Sequence, residues 1–227
     1  MIHIRKIVSK TCFLILSPCL ALGSVGPQFP SRPPAPKTDL PADSRTVLGV
    51  ILGQSSLATV QEKLGPANMW AQGDASTAEE VVCYVTDEPH SIVIAFASNS
   101  EMAGPPDNEV TDITIVGSAA YPQRSKCRTI SLKNLGTPSG LGLGITREKV
   151  RAILGAPLHS TSAKWGYLWS VDRPLLKSDN SYEYWLSRKA ECFAGGEPFF
   201  SVNSGIDIMF DGDTVARLGF ERIETIC

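Results

Sequence analysis

Apolar and polar positions along the chain fall into two series that run through the same succession of patterns. The first opens on "VLGVILGQSSLATVQEKLG", in which Leu57, Val60 and Leu64 recur at i, i+3 and i+7 and so share one face of a short helix. Ser55 or Ser56 can cap that helix, Gly65 is free to end it, and Pro66 prevents its continuation. The second series repeats the design, with Thr146 as cap, Val150, Ile153 and Leu154 as the apolar face and Gly155 as stop. The repetition reaches individual letters, "VQEKLGPA" at 60–67 against "VRAILGAP" at 150–157. Helices of about nine residues do not persist alone in water, so each needs a surface to lie on.

That surface is predicted to be a sheet. After the first helix come "VVCYV" from Val81, "SIVIAFA" from Ser91 and "VTDITIV" from Val110. After the second come "YEYWLS" from Tyr182, "IDIMF" from Ile206 and "TVARLGF" from Thr214. The middle strands align as Ile92, Ile94 and Phe96 against Ile206, Ile208 and Phe210, an alternation of period two. Asp211 and Gly212 suit a tight type I′ hairpin, where the first series has the longer loop "SNSEMAGPPDNE". "WGYLWSV", residues 165–171, reads as an extra strand of the second series, and "RTISL" as a short strand between the two. The predicted fold class is therefore α+β: two tandem units, each a short helical segment packed on a small antiparallel sheet, over residues 47–120 and 140–227, with a linker at 121–139. Were the two sheets to join edge to edge, open strand edges would be covered and a broad continuous surface would result.

Composition adds a compartment. Arg5, Lys6 and Lys10 precede an apolar run to Leu22 that is too short to span a bilayer, which predicts a secretory signal peptide over 1–23 with cleavage after Gly23. A lipid anchor at Cys19 is the alternative, and Pro18 stands where that chemistry needs a small residue. Residues 24–46 carry six prolines and few large aliphatic side chains, and read as an extended tether or as a polyproline ligand. Losing the leader removes three positive charges and no negative ones, so the formal charge of −2 becomes about −5. This argues against a nucleic-acid partner, since the one basic cluster is Arg124, Lys126 and Arg128. The expected location is the periplasm or the extracellular space.

Cys83, Cys127, Cys192 and Cys227 lie beyond the leader, an even number that suggests disulfides in an exported chain. Close C-x-x-C pairs of the kind that hold zinc are absent. Cys83 lies in a first strand and Cys127 beyond the last strand of its series; Cys192 and Cys227 stand in a similar relation, which predicts the pairs Cys83–Cys127 and Cys192–Cys227.

Capped helix, "LG-P" stop and antiparallel strands ending in "YEYW…IDIMFDGDTVARLGF" together resemble the fold superfamily shared by secreted β-lactamase inhibitor proteins and SmpA/OmlA-type lipoproteins of outer-membrane assembly. The likeness covers most of residues 47–227, as two copies in tandem. It implies a non-enzymatic protein-binding scaffold of the cell envelope or outside the cell, and carries over no contact residue.

Candidate chemistry is sparse. His90 and His159 are the histidines beyond the leader, both in turn-like contexts, and no G-x-S-x-G elbow, phosphate-binding loop or H-E-x-x-H pair is present. "SGLGLG" at 139–144 lacks the strand and helix that would make it a nucleotide loop, and Asp87, Glu88, Asp211 and Asp213 are acids of the sort turns carry. Neither a cofactor nor a metal is expected. Trp165, Tyr167 and Trp169 fall at i, i+2 and i+4, and in a strand would share one face, with Tyr182 and Tyr184 on the neighbouring strand. Five rings on one face are either core beneath a helix or an exposed recognition surface. The function expected is an exported protein-binding module, inhibitor-like or assembly-related. The alternatives are a small-molecule or glycan-binding protein that stacks its ligand on those rings, and a hydrolase using His90 or His159.

Overall fold

The computed structural model describes residues 38–73, 78–87, 91–99, 109–132, 135–177, 182–187 and 199–225. In chain order they form β1 (Thr46–Val47), β2 (Val50–Ile51), α1 (Leu57–Leu64), β3 (Met69–Gln72), β4 (Glu79–Thr86), β5 (Ile92–Asn99), β6 (Asp112–Gly117) and β7 (Arg128–Ile130). There follow α2 (Arg147–Leu154), β8 (His159–Ser160), β9 (Lys164–Pro174), α3 (Tyr182–Ser187), β10 (Phe199–Asp211) and β11 (Thr214–Thr225). The helix signals act as expected: Ser56 accepts from Thr59 N and Thr146 from Lys149 N, and Gly65 and Gly155 end their helices at φ of 89° and 80°.

The tandem-unit expectation is corrected by the sheet. The strands join in the order β3-β4-β5-β6-β11-β10-β9-β8, with β7 added parallel to β4, so one nine-stranded sheet replaces two small ones. Strand makes up 48% of the described residues, and the class is mostly β rather than α+β. The joint is β6 against β11, five antiparallel pairs from Val116↔Arg217 to Asp112↔Glu221. Pairing satisfies the backbone groups that two separate sheets would have left on open edges, which is why the halves merge. Helices α1 and α2 lie on the same face, and one unbroken core runs beneath them: Leu57 and Val60 of α1, Val150 of α2, and Tyr84, Phe96, Ile113, Ile115, Ile206, Ile208, Leu218 and Phe220 of the strands.

Two local expectations also change. "YEYWLS" is helix α3, and the strand that pairs with β10 is β9, the stretch read as an extra strand; six residues with Glu183 and Ser187 among aromatic and aliphatic ones are too few to distinguish the two states by period. The hairpin turn is Gly212–Asp213, with Gly212 at φ 58° as its positive-φ residue, the requirement of a type II′ turn rather than I′. The left-handed pair of a I′ turn is found instead at Leu48 (53°) and Gly49 (77°), between β1 and β2. A bulge where Met209 faces Arg217 and Phe210 faces Val215 leaves Ala216 as the extra residue of β11.

The stretch read as a linker covers the other face of the sheet. From β6 it passes over Val93, Ala95, Val81 and Cys83, packs Tyr121 and Cys127 against them, and ends as β7 on the outer edge of β4. A disulfide from Cys127 to Cys83 pins it, as expected. Cys192 and Cys227 lie outside the described residues. At the far end of β10 and β11, the last residues of the predicted tether are packed, with Leu40 1% exposed. Asp39 Oδ1 accepts from Arg222 Nη1 at 2.8 Å and from Ser204 Oγ at 3.2 Å, and Arg45 stands 3.7 Å from Oδ2. Arg222 also donates to Glu224, which accepts from Arg173 as well.

Candidate functional site

The predicted aromatic set divides. Trp165, Tyr167 and Trp169 do share one face of β9, but it is the face beneath α2, where they are 4%, 6% and 9% exposed. Arg147 of α2 places its guanidinium 3.9 Å from the Phe210 ring centre and 5.3 Å from that of Trp165, and Arg151 sits 4.9 Å from the latter. Tyr167 stacks on Trp169 at 6.0 Å, donates to Gly155 O, and burial pushes its phenol up to about 12. Tyr182 lies on α3, half-buried, and Tyr184 shares that helix, so neither joins the others on a sheet face. These rings hold α2 to the sheet. His159 is exposed on β8 opposite Gly166, and His90 lies outside the described residues.

The surface the fold leaves open is the second half of the far face. Over β4 and β5 that face is buried under the 118–132 segment; β6 is the border, buried at Val116 and half-buried at Asp112 and Thr114, and over β11, β10 and β9 the residues of the face are exposed or half-buried. Alternation fixes which residues these are. Along β10 the even positions Val202, Ser204, Ile206, Ile208 and Phe210 are buried, while Phe199, Asp207 and Met209 of the odd set are exposed. Met209, Phe199 and Ile223 are 44%, 40% and 38% exposed. Three glycines make the floor between them: Gly205 stands between Leu168 and Glu221, and Asp207 stands between Gly166 and Gly219. A Cβ at Gly205 would come 4.0 Å from Glu221 Oε2, so that carboxylate borders the hollow left by the missing side chain.

Acidic groups predominate on this surface. Asp207 pairs with Lys164 at 2.9 Å, and Glu221 is directly opposite Asp112 at the joint. Burial pushes the Asp112 carboxyl up to about 7; the hydroxyl of Thr111, donating at 2.8 Å, opposes this, and the nearby carboxylates Glu221 and Glu79 reinforce it. A carboxyl with its folded value raised favours the native state fully below its unfolded value near 3.8, and that contribution is lost as pH rises through about 7. Asp112→Asn is therefore expected to stabilise the protein by about 2 kcal/mol at pH 8, after allowance for its partial exposure, and by little at pH 4. Urea melts at the two pH values read this directly, and an equal effect at both would contradict the assignment.

None of these far-face residues was singled out from sequence. The signal is there in β10, where even positions are apolar apart from Ser204 and odd positions mix Phe, Ser, Asn, Gly, Asp and Met. Two shallow grooves lie elsewhere. One of about 490 Å³ is bordered by Leu48, Gly49, Gly136, Thr137, Pro138 and Leu141, without a titratable side chain. The other, about 360 Å³, lies between Pro66, Asn68, Lys126, Cys127 and Arg128. Among the described residues no group of His, Cys, Asp or Glu is placed to hold a metal ion, and no helix is long and apolar enough to cross a membrane. Comparison with known proteins returns no match: no family model, no curated protein and no solved structure aligns with this chain.

Proposed function

We propose that the chain is an exported, non-enzymatic protein-binding module, and that the open half of the far face, not the aromatic set, receives the partner. One observation carries the reading: among the described residues, a single sheet face is covered by the chain's own segment over β4 and β5 and left uncovered over β9–β11, where Met209, Ile223 and Phe199 stand exposed. Apolar side chains around a glycine floor supply desolvation and close approach, and the surrounding charge sets partner chemistry. Asp172, Asp207 and Glu221 outnumber Lys164 and Arg217 there, and Asp207 and Glu221 border the glycine floor between Met209 and Ile223, which favours a partner that sets basic groups over the floor and apolar ones towards its ends. The resemblance to inhibitor and assembly proteins points the same way. Stacking of a glycan on Trp165, Tyr167 and Trp169 has no support, since those rings are buried.

The test is photo-crosslinking from Met209 and Ile223 in the envelope and secreted fractions, followed by binding to the partner captured. Met209→Arg with Ile223→Arg should weaken that binding at least tenfold without altering the thermal melt, and Met69→Arg, on an exposed side chain of β3, should not. Rising salt should weaken it too. A captured protein bound equally well by the double variant would overturn the reading.

A further inference from the structure

The two edges of the sheet are finished differently. On one side β4 is the last long strand, and its outer edge is taken up by β3 against Glu79–Val82 and by β7 against Tyr84–Thr86. On the other side β9 is eleven residues long, while β8 pairs only with Trp165 and Gly166. Extending that register would bring Pro157 opposite Leu168, and proline has no N–H to continue the ladder.

Leu158 N donates to Gly166 O at 2.9 Å, so Gly166 turns its peptide groups outward, and by alternation Leu168, Ser170 and Asp172 do the same. Among the described residues no strand pairs with this edge beyond Gly166. The open span is 167–173, bounded by β8 at one end and Pro174 at the other, and extends about 23 Å. Its midpoint is Ser170, one of the outward-turned residues.

We infer that a second copy of this chain pairs here, β9 against β9 antiparallel about a two-fold axis through Ser170, making one sheet across the dimer. The register is self-consistent. Centred on Ser170, the outward residues meet as hydrogen-bonded pairs, Ser170 with Ser170 and Leu168 with Asp172, which exchange six backbone hydrogen bonds by geometry. The intervening pair sets Trp169 against Val171, an aromatic and a β-branched residue, and no two like charges are opposed. An axis through Trp169 or Val171 would centre the contact on a non-hydrogen-bonded pair and leave four backbone hydrogen bonds within the span in place of six. No residue from 167 to 171 is a lysine, a proline or an inward charge of the kind that blocks edge pairing. A two-fold contact closes on itself, so the pairing yields a dimer and not a fibre.

The inference is independent of the partner proposed for the far face. Backbone pairing over seven residues is a small interface, and the expected dissociation constant is on the order of micromolar. Sedimentation of the full chain lacking only the leader, from about 1 to 500 µM, should show a reversible monomer–dimer equilibrium. Ser170→Pro, which removes an outward N–H and no inward one, should weaken it at least tenfold, and Ser170→Ala should leave it intact. Amide exchange supplies the reading that does not depend on a variant: the amides of Leu168, Ser170 and Asp172 should slow with concentration, while those of Tyr167 and Trp169, already bonded to β10, should not. A monomer throughout, or a dimer whose outward amides exchange as in the monomer, would overturn the inference.

Discussion

Replacing Cys83 and Cys127 together by alanine is expected to destabilise the protein by about 4 kcal/mol, the loop-entropy value for closing a loop of this length. The bond joins residues separated by 44 positions, and it holds a segment whose other attachment to the face it covers is modest: Tyr121 and the short parallel pairing of β7. Cys83 is fully buried between Val81 and Val85, so deleting its sulfur also leaves a small void in the far-face cluster. At a fall of about 2–4 °C for each kcal/mol, the melt should move down by about 8–16 °C. Calorimetry of the double variant decides it, and a shift below about 3 °C would mean that packing alone keeps the segment in place.

Arg222→Ala is the second large effect, at about 3 kcal/mol. The guanidinium is 8% exposed and bonds Asp39, Ser204 and Glu224, so truncation strands a cluster of carboxylates beside Arg45 and leaves a void. Asp39 is one-third exposed and recovers some hydration, which keeps the cost at the lower end of what breaking a buried pair entails. Gly53 belongs to the same arrangement. A Cβ there would fall 2.0 Å from Arg222 Cδ, and φ is 72°, so only glycine lets the backbone pass so close. Arg222→Met fills most of the volume but strands the same carboxylates, and should recover only the part of the loss that comes from the void, leaving about 2 kcal/mol. Chemical denaturation of both variants separates packing from pairing; equal losses would show that the ion pairs dominate.

Local signals are legible in this sequence and long-range ones are not. Ser56 and Thr146 cap their helices, Gly65 and Gly155 end them, and the period-two runs of β5, β6, β10 and β11 are strands, because caps and alternation act over a few residues. Whether "DITIV" of β6 ends one sheet or continues into another depends on meeting "RLGFE" of β11, about a hundred positions on, and nothing in either stretch announces that. The pairing of Cys83 with Cys127 followed from where each lies along the chain, yet the role of the segment between did not, since Tyr121 looks like any residue of a polar stretch. The aromatic alternation in β9 was visible; its side was not, because glycine, leucine and serine at 166, 168 and 170 suit water or a partner equally. An open face is defined by what fails to cover it, and a sequence does not write that down.

The central joint also orders events during synthesis. A ribosome delivers β6 long before β11, the strand that seals its outer side, so for about a hundred residues of elongation the hydrogen-bonding edge of Asp112–Gly117 has no permanent neighbour. Ile113 and Ile115, fully buried at the end, spend that interval on an unfinished border. At about 5–20 residues per second the wait lasts roughly 5–20 seconds, long compared with the microseconds in which strands find one another. A nascent chain of this design offers a β-strand template to whatever holdase or neighbouring chain is near, and its yield in a cell depends on who arrives before β11 does.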